Sequence, residues 1–92
     1  MAPQTLRLAP HLDMPAASLL RGQLLRLRGH DVELDGSAVM RLGALCLQVL
    51  LSAARTWRQE GRAFRIIEPS RGLTEGLRQL GAAPALESAE EN

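Results

Sequence analysis

The side chains best suited to covalent or acid–base chemistry are few: Cys46, His11, His30, and the alternating acids Asp31, Glu33 and Asp35. A nucleophilic thiolate needs polar surroundings and a basic neighbour. Cys46 instead falls on an apolar stripe of Leu42, Leu45, Cys46, Val49, Leu50, Ala53 and Trp57, so it reads as core filler. His11 beside Pro10 and His30 beside Gly29 belong to surface loops, with no cysteine or helical histidine at ligand spacing. No metal and no other cofactor is expected. Asp31, Glu33 and Asp35 share one side of a strand and could mimic a carboxylate pair, but a solvated sheet face or capping explains them more simply. Neither GxxxxGK[ST] nor GxGxxG occurs, which removes both common phosphate cradles. The sequence therefore reads as a protein without catalytic residues.

The chain of 92 residues is 46% apolar and 23% charged with a formal charge of +1, the balance of one small globule. Trp57 and Phe64 are its only aromatics, so bases and sugar rings find almost no stacking platform. The cations are all arginines and are scattered rather than gathered into an arm, so no nucleic acid is expected. A single cysteine excludes an internal disulfide. Residues 1–10 lack the apolar run of a signal peptide and no stretch reaches eighteen apolar residues, so a cytoplasmic protein that does not insert into membranes is expected.

The elements that must position any site follow from periodicity. Thr5 to Ala9 alternates and stops at Pro10, predicting a strand. Asp13 with Pro15 caps a helix whose face is Leu20, Leu24 and Leu27, widened by Leu19, and which ends at Gly29. Asp31 to Asp35 predicts a second strand. The Leu42–Trp57 stripe predicts a helix over about 42–60, closed by Gly61, and Ala63 to Glu68 a buried strand. Ser70 caps a last helix with Leu73, Leu77 and Leu80 on its apolar face, ended by Gly81. Gly72 and Gly76 within it form GxxxG, a spacing that permits close approach. Residues 82–92 carry Glu87, Glu90 and Glu91 with one leucine, too little apolar surface to order them, and read as an acidic tail. Alternating strands and helices predict a single α/β domain over 1–81, with about three helices on a mixed sheet containing parallel βαβ crossovers.

What remains is the turn from Asp35 into the long helix, where the first amides are unpaired and point outward. Ser37, Val39, Met40, Arg41, Gly43, Ala44 and Gln48 make it a candidate partner-binding corner. Arg41 beside the positive helix end would favour an acidic or phosphorylated surface, unless it is consumed by Asp35 or Glu33.

Leu34-Asp35-Gly36-Ser37-Ala38-Val39, then Arg41-Leu42 and the long helix, together with Leu12-Asp13 and Ala16-Ala17 upstream, resemble the STAS family over about residues 5–81. That family includes anti-sigma-factor antagonists, soluble subunits of lipid-asymmetry transporters and cytoplasmic tails of anion transporters. Regulated members carry an acid and then a phosphorylatable hydroxyl where this chain has Gly43 and Ala44, and a glycine where it has Cys46. Ser37 matches the turn serine and not the phosphorylated position. The run Val39 to Ala53 is similar to small stand-alone STAS proteins of alphaproteobacterial chemotaxis operons. The resemblance implies a non-enzymatic adapter that binds a chemotaxis histidine kinase and modulates phosphate flow to a response regulator. The alternatives are a subunit of a lipid-asymmetry transport complex clamped to its ATPase, and an anti-sigma-factor antagonist lacking the phosphorylatable residue. Self-association stays open as well.

Overall fold

The computed structural model describes residues 2–81. In chain order it contains β1 (Gln4–Arg7), β2 (His11–Leu12), α1 (Met14–Leu25), β3 (Val32–Asp35), β4 (Arg41–Leu42), α2 (Ala44–Gln59), β5 (Phe64–Ile67) and α3 (Arg71–Gln79). The strands form a parallel sheet in the order β1-β3-β5 and a separate parallel pair β2-β4. Rows such as Leu6, Leu34 and Ile66 lie side by side across the larger sheet. The α/β class, the three helices and the crossovers are as the alternation of elements predicts. The expected mixed sheet is wholly parallel among the described residues.

Strand alternation puts Val32, Leu34 and Phe64 on the side facing the helices, each at most 3% exposed. Thr5, Arg7, Glu33, Asp35, Arg65 and Ile67 form the other side and stay exposed or half-buried. Against the inner side pack Ala17, Leu20 and Leu24 of α1, Cys46, Leu47, Leu50, Ala53, Ala54 and Trp57 of α2, and Leu73 and Leu77 of α3. Trp57 and Phe64 meet with ring centroids 5.6 Å apart and tilted planes. Such a pair contributes about 0.5–1.5 kcal/mol beyond its buried area.

Local sequence sets the ends of these elements. Pro15 fits the first turn of α1, and the chain leaves that helix through a turn ending in Gly29 at φ 88°, a left-handed conformation that glycine takes without a Cβ penalty. The Ser70 hydroxyl accepts from the Leu73 amide, capping α3 as its position predicts.

Several expectations are corrected. Leu42 belongs to β4, so the long helix starts at Ala44, and α1 stops at Leu25 rather than Gly29. Leu19, Leu45 and Leu80, expected on apolar faces, are 64%, 48% and 43% exposed. In α2 the first half is apolar nearly all round, so periodicity alone could not fix which side turns inward. Leu47 and Ala54 are buried, and Leu45 is left at the rim. The expected tail, residues 82–92, lies outside the described residues.

Candidate functional site

The corner where α2 begins sits at the carboxyl ends of the strands, the edge at which open α/β sheets usually present ligands. Here the order β1-β3-β5 advances in one direction, so adjacent crossovers never diverge to open a crevice. The site is a surface rather than a cleft.

Backbone contacts fix that surface from two sides. On one side the Pro10 carbonyl accepts from the Met40 and Arg41 amides at 2.7 and 3.2 Å, and the Leu12 carbonyl accepts from Gly43 at 2.8 Å. On the other, α3 lies directly against the segment Val39–Leu42. A Cβ placed on Gly72 would come within 2.5 Å of the Met40 carbonyl oxygen, and one on Gly76 within 2.9 Å of the Leu42 Cβ. This gives GxxxG its role, except that the close neighbour is a strand and not a second helix. The Ser70 hydroxyl also donates to the Val39 carbonyl.

With the backbone so held, the side chains divide. Ser37, Met40, Arg41, Ala44 and Gln48 are exposed, Met40 at 69%. Gly43 is half-buried. Val39 is 2% exposed and packs in the core, so its side chain offers no contact surface. Among the described residues Arg41 forms no ion pair, and its two expected partners make other contacts. Glu33 faces Arg65 at 3.8 Å, and Asp35 accepts from the Ser37 amide at 2.9 Å. That amide, then the Ser37 side chain, hold the Asp35 carboxyl below its ordinary pKa, with a smaller contribution from the Arg7 charge. Asp31 accepts from the Ala63 amide at 2.9 Å, so the acidic trio of the strand has structural work.

Sequence reasoning missed Met14, which begins α1 at the same corner and is 73% exposed. Its helical periodicity carried no signal of this. The link is tertiary: Cys46 donates its thiol to the Asp13 carbonyl at 3.2 Å, tying the start of α2 to that of α1. Burial, and then the Asp13 charge, push the Cys46 thiol pKa up, which disfavours the nucleophilic thiolate. Among the described residues no three His, Cys, Asp or Glu side chains group as metal ligands.

A family model described as Mlab, STAS domain, matches residues 1–87. The chain belongs to the STAS domain family. STAS domains are generally non-enzymatic regulatory domains. Comparison with curated proteins and with solved structures returned no match. In this STAS domain Gly43 is the residue preceding α2 and Ala44, the first residue of the helix, is exposed. A Cβ on Gly43 would already stand 3.2 Å from the Leu12 carbonyl oxygen, so an acidic side chain there would crowd β2. Cys46 fills buried space and is fully covered. No helix among the described residues is long and apolar enough to cross a membrane.

Proposed function

We propose that this STAS domain is a non-enzymatic adapter that grips a protein partner through Ser37, Met40, Arg41, Ala44 and Gln48. The observation that carries this reading is the division of labour at the corner: its backbone is fixed by β2 and α3, while these five side chains are exposed. A preorganised surface loses little entropy on docking, and a methyl group at Ala44 lets a partner's backbone approach closely. The partner is a chemotaxis histidine kinase, and docking alters phosphate flow to a response regulator; the run Val39 to Ala53 supports this by its similarity to chemotaxis-operon STAS proteins. The adapter works in the cytoplasm. With glycine and alanine at the family's acid and hydroxyl positions, binding is not switched by phosphorylation there.

A second reading is favoured by the matched family's description, which names Mlab. There the same corner would clamp the ATPase of a lipid-asymmetry transport complex. Copurification of the full chain with each candidate, a chemotaxis histidine kinase and a lipid-transport ATPase from the same organism, separates the two. Arg41→Glu combined with Ala44→Glu is expected to abolish capture of the true partner. Capture of neither, or capture untouched by the double variant, refutes docking through this corner.

A further inference from the structure

A different surface carries its own signal. Helices α1 and α2 start together and run side by side, leaving a groove of about 460 Å³ between them. Leu24 and Trp57 contribute to its floor, Leu25 and Leu45 to its walls, and Arg21 and Arg28 to its rim. Leu25 and Leu45 are 51% and 48% exposed, a large apolar investment for two helices that already share a core. The charge around it is mainly positive. Between Asp13 and Asp31, and again between Asp35 and Glu60, the sequence holds no acid, whereas Arg21, Arg26, Arg28, Arg41, Arg55 and Arg58 are all exposed. Among the described residues only Arg28 of these is paired, with Glu60 just beyond the end of α2.

We propose that the α1–α2 groove is a docking site for an amphipathic helix of a partner protein, with leucine-like anchors on one face and carboxylates along its flanks. The lining runs from Leu45 to Trp57, about 18 Å along α2, the length of roughly three helical turns. A second copy of this chain fits poorly, because a two-fold contact would set an arginine-rich face against itself, with Glu60 already held by Arg28. A flat anionic membrane would meet the arginines but leave the concave floor unfilled. This surface shares Gln48 with the corner at the start of α2, but Arg21, Leu25 and Arg28 lie outside that corner, so variants at those positions test the groove separately.

The probe is a synthetic helical peptide of about eighteen residues, roughly five turns, with leucines on one face and glutamates on both flanks. It is titrated into the full chain, and a counterpart with lysine in place of each glutamate is the control. Trp57 is the sole tryptophan and lines the groove, so its emission reports occupancy. The expected result is a saturable emission change with the glutamate peptide and none with the lysine peptide. Arg21→Glu with Arg28→Glu should weaken binding about tenfold or more, and Leu25→Ser should weaken it separately, each with an unchanged circular dichroism spectrum. The proposal is overturned if the glutamate peptide does not bind or binds both variants unchanged. It is also overturned if sedimentation shows a dimer that Leu25→Ser dissolves, or if anionic vesicles occupy the groove in preference to the peptide.

Discussion

The two ends of α2 are held in opposite ways. At its start the restraint is mainly backbone on backbone: Pro10 and Leu12 carbonyls accept amides from Met40, Arg41 and Gly43, and the glycines of α3 press on the same segment, with the Cys46 thiol and Ser70 hydroxyl adding one bond each. At its finish the restraint is made by side chains. The Trp57 indole donates to the His30 carbonyl at 2.8 Å, Asp31 holds the Ala63 amide, and Arg28 pairs with Glu60. Where the main chain carries the restraint, side chains are released for other work; where side chains carry it, they are not. That contrast frees the side chains at the start of α2 for a partner, whereas at its far end Trp57 and Arg28 carry structural contacts alongside their place in the groove.

The sharpest way to break this contrast is at the far end. Trp57→Ala removes the largest buried side chain together with its hydrogen bond, and is expected to cost about 3–5 kcal/mol, most of the stability of a domain this small. Urea unfolding followed by circular dichroism reads it; a loss under about 1 kcal/mol would mean the far end is not held by side chains. Next is Gly72→Ala, whose added methyl meets the Met40 carbonyl at 2.5 Å. It should cost about 1–3 kcal/mol in the same assay, with Gly22→Ala, which meets nothing within 4 Å, as the matched control.

A smaller effect is the acid response of Asp35. Its folded-state pKa is depressed, so it contributes stability at neutral pH, and that contribution is lost as pH falls below about 4 through the depressed value. Asp35→Asn keeps an oxygen to accept the Ser37 amide but removes the titration, so the variant should show a shallower loss of stability in acid. Identical acid profiles would assign the depressed pKa no role. The smallest change is expected at the corner itself. Arg41→Glu with Ala44→Glu should move the unfolding free energy by no more than about 0.5 kcal/mol, since neither side chain has structural work there. A larger loss would erase the distinction between the two ends.

Much of this was readable from residue order. Ser70 as a cap, the positions of the β1, β3 and β5 strands, and Cys46 as core all follow from local chemistry: period-two and period-four burial, a hydroxyl at a helix start, a glycine past its end. These are short-range effects, and a linear sequence contains them whole. What it left open depended on which surfaces meet. Two-residue strands such as β2 and β4 are too short to show alternation and exist because each supplies the other's hydrogen bonds. Gly72 and Gly76 announced a close approach without naming the neighbour. Val39 and Leu45 exchanged their expected places, one turned inward and the other to the rim, because an apolar residue is buried only if a second element arrives to cover it. The sequence by itself set the local conformations and the acid-free stretches of α1 and α2. Tertiary structure decided which apolar side chains stayed uncovered, since burial is a property of pairs of surfaces and not of any single segment.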